Sequence, residues 1–341
     1  MDKAYGNRGE CLLYGQKNIS LKGVHEEVME TEKKRMPAED LRKLQLIELE
    51  MLLEVDRICR ENEITYFLLA GTALGAVRHK GFIPWDDDLD LRMTRGEFEK
   101  FEKVCETKLD TSRFFLQTAR TDPGYRWGYA KVRRKGTEYL RAGQEAIKCM
   151  SGVSIDIFII DNMPDNHFVS GIYQLLRRGC IKTLWSVIGV TADPNPAKRL
   201  LYHGLRHVPK EVPLGIMEWL GKRANQKETK RQYCISFYRR DAFAKMGKWY
   251  DQGVASEWFK DKTEIEFEGF MFYVCKDYMA YLENKYTNMW KYPPESQRFI
   301  HPPKSYSFDV EIDLRGRSVE EYMNKEYLYL TKEDWEKERE K

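Results

Sequence analysis

The chain has 341 residues, 42% of them apolar, and a formal net charge of +3 from 57 basic against 54 acidic side chains. That length can bury a full core, and that composition excludes a disordered or fibrous chain. The near balance of charge lacks the basic excess of nucleic-acid-binding domains, so no nucleic acid is expected as a partner.

The seven cysteines are odd in number and widely spaced, with no CxxC pair. They argue against a disulfide framework or a zinc knuckle and for a reducing compartment. The opening MDKAYGNRGE has no apolar signal-peptide core, and no window reaches the roughly 18 apolar residues that span a bilayer. The expected location is cytoplasmic.

Residues 1–36 are polar, lack periodicity and read as an extension. A helix is predicted over 37–61. Pro37 suits its first turn, Glu39 and Asp40 complement its dipole, and Leu41, Leu44, Ile47, Met51, Val55 and Ile58 form one core-facing stripe. Residues 66–70 read as a short strand running into Gly71-Thr72, then a helix over 73–79 with Gly81 as its C-cap. Residues 83–85 are a loop, and 88–93 alternate as Asp-Leu-Asp-Leu-Arg-Met, a half-buried strand. A helix over 95–108 and strands at 114–118, 129–133 and 153–160 follow.

From 166 to about 246 the texture is helical, broken at Asp193-Pro-Asn-Pro196. Between 171 and 210, seven Lys and Arg residues stand against Asp193 alone. After 248 come a strand-like piece (266–274), a helix (276–286) and a last charged helix over the final 25 residues.

Chemistry concentrates in AGTALGAVRHKGFIPWDDDLDLRM, residues 70–93. A strand puts alternate side chains on one face, so Asp88 and Asp90 point together about 7 Å apart while Leu89, Leu91 and Met93 face the core. Like charges that close raise each other's pKa, and a divalent cation between them removes the conflict. Mg²⁺ takes one or two carboxylates and completes its octahedron with water and phosphate oxygens. Asp156 is the lone acid of an apolar strand, costly to bury unless paired or bound to metal, and is read as the third carboxylate. Asp161, at the end of that strand, is ambiguous.

Gly71 lets a backbone approach closely, and Thr72 can cap a helix whose N-terminus attracts an anion. Arg78 and Lys131 can add charge-assisted bonds to phosphate. Each feature alone has an ordinary reading: D-h-D is common, Gly-Thr is usually a turn and cap, and Lys131 can be a solvated strand charge. The order strand, Gly-Thr, helix, D-h-D strand, h-D-h strand points to an α+β nucleotidyltransferase fold, a mixed β-sheet flanked by helices, here with a helical insert.

The 70–93 block closely resembles the signature of the LicD family, the phosphocholine transferases related to fukutin and fukutin-related protein. The resemblance extends upstream through 44–61 and 64–66, and downstream to the Lys131 strand, Thr137 and SIDIFIID at 154–161. It returns at Phe267-Glu268-Gly269 and at 281–294. It covers about 38–165 and 264–302, is weak in the insert and is absent from both tails. Ala70 stands where the family often has Gly, and Tyr286-Thr-Asn where Tyr-Gly is common.

The resemblance implies transfer of a phosphorylated alcohol from a CDP-activated donor such as CDP-choline to a glycan hydroxyl, with Mg²⁺ or Mn²⁺. Carried over by position, Asp88 and Asp90 match the metal pair, Asp156 the third carboxylate, and Gly71 and Thr72 the phosphate turn. The implied acceptor is a glycan or lipid-linked glycan, such as teichoic acid or lipopolysaccharide. The organisation is then an extension (1–36), a catalytic core (37–165), a helical insert (166–247) and a C-terminal part completing the core (248–341).

Two alternatives share the acids: a plain nucleotidyltransferase releasing pyrophosphate from an NTP, and a non-catalytic glycan-binding relative. A choline cargo would want aromatic faces. Trp85 is the foremost choline or base contact, with Tyr125, Trp127 and Tyr129 also near. His79 is read as a helix-end residue, and His203 and His207 as structural because they lack the acid of a zinc motif. His301 is a further substrate candidate. The basic insert is either a peripheral contact with the inner face of a membrane or a lid whose charges face water.

Overall fold

The computed structural model describes residues 36–141, 143–236, 253–286, 288–295, 298 and 303–339. The predicted extension up to residue 35 and His301 lie outside them.

Helix α1 (Ala38–Glu61) opens the fold behind Pro37. The predicted stripe is buried, but so are Arg42, Gln45, Glu48, Glu50 and Asp56 on its other sides. The cause is tertiary: residues distant in sequence cover the polar flank. Arg42 pairs with Glu268 at 2.9 Å and donates to the Tyr322 carbonyl, while Arg134 pairs with Glu50 at 2.8 Å.

Strand β1 (Phe67–Leu68) leads into α2 (Ala70–His79), then β2 (Asp90–Thr94), α3 (Arg95–Lys108) and β3 (Phe114–Gln117). Strands β4 (Ala130–Arg134), β5 (Glu138–Arg141) and β6 (Ser154–Met163) follow. The helices α4 (His167–Ala192), α5 (Pro196–Leu205) and α6 (Glu211–Ala224) come next, then β7 (Arg231–Cys234) and β8 (Val254–Ala255). A hairpin of β9 (Lys262–Phe267) and β10 (Phe270–Cys275), helix α7 (Tyr278–Lys285), strand β11 (Pro303–Ser307) and helices α8 (Val319–Met323) and α9 (Lys332–Arg339) complete the described chain.

The main sheet runs β1-β2-β6-β4-β3, with β7 on the far half of β6 and β8 beyond it. Strands β2 and β6 are parallel; the other pairs are antiparallel. The ten-residue β6 is the hub: its first half pairs with β4 and its second with β7. The architecture is thus mixed α+β. One apolar cluster joins α1, α2, the sheet, the hairpin and the C-terminal segment. A second, built on Tyr173, Leu184, Met217, Leu220 and Tyr233, packs α4 and α6 against the β6–β7 end.

Several expectations need correcting. The helix α2 is C-capped by Lys80 at φ 49°, not by Gly81. Gly81 is needed for room instead, because a Cβ there would lie 2.4 Å from the Glu268 carboxylate. The stretch to 246 is not all helical, since β7 returns to the sheet. The charged C-terminal segment breaks into α8 and α9, with an unhelical piece that packs on α2: Leu330 N–H donates to the Arg78 carbonyl at 2.8 Å. Asp161 is structural. Arg95 holds both its oxygens at 2.7 and 2.6 Å, and Asn225 of the α6 C-cap donates at 2.7 Å.

Candidate active site

The register of three neighbouring strands builds the site. Asp90 of β2 stands opposite Asp156 of β6, and Asp156 stands opposite Lys131 of β4. Residues in register share a face of the sheet, so the three side chains form one row across it. Lys131 Nζ donates to Asp156 Oδ1 and reaches Ser154 Oγ at 3.4 Å. Asp156 and Lys131 are both buried, and Asp90 is half-buried.

Asp88 does not lie within the strand as predicted. The β2 ladder starts at Asp90, preceded by one bond from Asp156 N–H to the Leu89 carbonyl at 2.9 Å. Asp88 belongs to the aspartate loop before it, where Asp86 N–H closes a turn on the Ile83 carbonyl at 2.9 Å. It still acts on Asp90. Burial first, then the charges of Asp88 and Asp156, push the Asp90 carboxyl well above the usual carboxylate range, against the pull of Lys131 and Lys285. Burial likewise lowers Lys131 to about 8, although Asp156 opposes the fall.

Thr72 is at the site but does not cap the helix. Its hydroxyl accepts from Asp90 N–H at 2.9 Å, and its own N–H donates to the Leu69 carbonyl at 3.1 Å. Thr72 therefore fixes the backbone of Asp90 from the side. The first turn of α2 is largely satisfied internally, since Ala70 N–H donates to the Tyr281 hydroxyl at 3.2 Å. At Gly71 a Cβ would stand 2.9 Å from the Asp86 carboxylate, so a side chain there would push that carboxylate aside. Ala70, the departure from the family pattern, takes φ 49°, a left-handed conformation that favours glycine.

Arg78 and Trp85 fall in a second cluster. Arg78 is buried, donates to the Met289 carbonyl at 2.9 Å and lies 4.6 Å from the centre of the Tyr292 ring. Trp85 packs edge-on to Tyr292 and His79, and Arg298 covers its ring at 4.3 Å. Of the aromatic residues weighed, Tyr129 lies beside the row, its ring centre 5.5 Å from Lys131 Nζ, and packs on Phe158 and on Tyr125. Among the described residues, His203 and His207 are exposed neighbours with ring centres 5.9 Å apart.

Three residues near the aspartates were missed from sequence. Burial alone would lower Arg141, but Asp156, Asp87 and Asp88 outweigh it and hold the guanidinium charged. Tyr139 donates to Asp87 at 2.9 Å. Glu48 of α1 is buried beneath the loop with Oε2 unpartnered, its carboxyl pushed far up by burial and then by Asp88, Asp87 and Asp86. Nothing local distinguishes Arg141 from other strand charges, or Glu48 from other helix acids.

The donor set is all oxygen, suited to a hard cation. Among the described residues, no three or more His, Cys, Asp or Glu side chains already converge as a metal cage. An open site drawing on two carboxylates and on phosphate oxygens fits this arrangement better than a closed one. The raised Asp90 is the observation that favours it: burial and the neighbouring acids outweigh the pull of Lys131 and Lys285.

Fold and site together define a mixed α+β protein with a carboxylate–lysine row across its central strands. Residues 63–164 match the family model described as LicD/FKTN/FKRP, nucleotidyltransferase domain. Residues 63–164 thus carry a LicD-family domain. It is 28% identical over 270 residues to the lipopolysaccharide cholinephosphotransferase LicD of Haemophilus influenzae (strain ATCC 51907 / DSM 11121 / KW20 / Rd), covering 76% of this chain and 95% of that protein. An uncharacterized protein of Rickettsia typhi matches over 55 residues at 36% identity, 16% of this chain and 18% of its own. Another, of Rickettsia prowazekii, matches over 42 residues at 45%, 12% of this chain and 16% of its own.

Proposed function

We propose that the chain transfers a phosphorylated alcohol, phosphocholine foremost, from a CDP-activated donor to a hydroxyl of a cell-surface glycan, releasing CMP. The lipopolysaccharide cholinephosphotransferase that aligns with most of the chain supports the reaction class. The observation that carries the reading is the register row of Asp90, Asp156 and Lys131. A nucleotidyltransferase fold, with its carboxylates on adjacent strands, is the fold reading that accompanies it.

In this reading Asp88 and Asp90 hold Mg²⁺ or Mn²⁺. The bound ion would supply the positive charge that a pyrophosphate donor and its leaving CMP require. Thr72 keeps Asp90 in place through its backbone. Lys131 holds one oxygen of Asp156, leaving the other for the metal or for the acceptor's proton. Arg141 adds fixed positive charge to a crowded acidic site. Tyr129 offers an aromatic face to a quaternary ammonium.

The test is a product assay with CDP-choline, Mg²⁺ and a glycan acceptor. Acceptor-dependent CMP release, absent without metal, supports the reading. Pyrophosphate release from CTP would replace it with the plain nucleotidyltransferase. Glycan binding without turnover of either would make the chain a non-catalytic relative.

A further inference from the structure

The helices α4, α5 and α6 carry an exposed apolar surface that the proposed chemistry does not use. Of the thirteen large hydrophobic side chains exposed among the described residues, ten lie between Phe168 and Trp219. Their spacing is helical: Phe168, Ile172 and Leu175 share one outer face of α4, and Val212, Ile216 and Trp219 one of α6. These faces are not core in waiting. The same helices already bury their other sides in the Tyr173–Leu220 cluster. Phe168 is 78% exposed, Leu200 on α5 77% and Trp219 59%. A concentration of this kind marks an interaction surface.

The charges say what it meets. From the start of α4 to the end of α5 the one acid is Asp193, and it is buried; on α6 Glu211 is exposed and Glu218 pairs with Lys222 at 2.7 Å. Two of the cations counted in the sequence are withdrawn: Arg177 is buried, and Lys210 Nζ donates to the carbonyls of Ala119, Pro123 and Tyr125. Lys182, Lys198, Arg199 and Arg206 remain exposed beside the apolar faces. An open depression of about 520 Å³ between α4 and α5 is lined by Arg199, His203, Thr191 and Leu200. Leu, Phe and Trp on one side with Lys and Arg at the margin is the pattern of a surface lying in a bilayer interface. A second copy packed two-fold on this face would set like charges against each other. No helix among the described residues is long and apolar enough to cross a membrane, so the contact is peripheral.

We infer that the outer faces of α4, α5 and α6 dock the protein on an anionic lipid bilayer, the apolar side chains entering the interface and the cations meeting lipid phosphates. This adds a lipid partner to the reading above, in which the acceptor is a cell-surface glycan, and it holds whatever the donor. The test is co-sedimentation of the full chain with vesicles of phosphatidylcholine, alone or mixed with phosphatidylglycerol, without turnover, so its outcome is separate from that of the CMP assay.

Binding is expected to favour the mixed vesicles. The double variant Lys198→Glu/Arg199→Glu should weaken it at least tenfold, since each cation near such a surface is worth roughly fivefold. The pair Phe168→Ser/Leu200→Ser, exposed and so neutral to folding, should abolish the part that survives high salt. Absence of binding at low salt overturns the inference. So does binding that both double variants retain, or a dimer in solution that the Phe168→Ser/Leu200→Ser pair dissolves.

Discussion

Replacing Asp90 by Asn should remove turnover and stabilise the metal-free protein at once. Neighbouring strands stand about 4.8 Å apart, and two unit charges at that spacing repel by ~3 kcal/mol at an effective dielectric of ~20. On top of its burial, Asp90 meets such repulsion from Asp88 and then from Asp156, while Lys131 on Asp156 cancels a share. Asn keeps the shape and drops the charge, so a gain of ~1–2 kcal/mol is expected at neutral pH. The sign follows from linkage. The folded Asp90 keeps its proton to a higher pH than the unfolded one, so its penalty is absent at low pH. It grows as pH rises above ~4, the ordinary value of an aspartate. Urea unfolding of both proteins at pH 7 and below 4 should show a gap at the first that closes at the second. Millimolar Mg²⁺ should raise the midpoint of the wild type and leave the variant unmoved. In the product assay the variant should lose ~10³-fold or more. A variant less stable than wild type at pH 7, or one keeping a tenth of the activity, refutes the reasoning.

Ala70→Gly should stabilise by slightly under ~1 kcal/mol, because relief of the left-handed Ala70 backbone exceeds the added unfolded-state entropy; an unchanged or lower melting point counts against it. Gly221→Ala should cost ~2–3 kcal/mol in chemical denaturation, since the new Cβ would stand 2.6 Å from the Asp161 carboxylate clamped by Arg95; wild-type stability would show that the α6 contact can yield. Burial lowers His79 to about 4, so the unfolded chain takes up a proton that the folded one refuses. The stability that this residue lends is present above pH ~6.5 and lost as pH falls toward 4, by up to about 3 kcal/mol. His79→Gln should flatten that part of the pH profile, and an unchanged profile would exclude the residue as its source.

The elements legible in the sequence were those whose signal is local. Helix α1 follows from a continuous apolar stripe, α3 from the Thr94 cap and Glu97, and β6 from an unbroken apolar run around one aspartate. The candidate acids stood out for the same reason: a carboxylate amid Leu and Ile is an energetic anomaly that the local pattern exposes. Thr72 was expected as a helix cap at a phosphate turn, yet its hydroxyl holds the backbone of Asp90, which no helix-cap rule anticipates.

What tertiary structure decided is every relation between strands and across distance. The sequence places Asp90, Lys131 and Asp156 far apart along the chain; only sheet register makes them neighbours, because backbone hydrogen bonding fixes which residues stand opposite. Glu48 and Arg141 join the aspartates from elements whose local pattern says nothing of that loop. In the helical segment, sequence counts charges and apolar residues but cannot tell that Arg177 and Lys210 turn inward while Phe168, Leu200 and Trp219 stay outside. That difference is set by which faces α4 and α6 spend on each other, a packing choice that local periodicity does not contain.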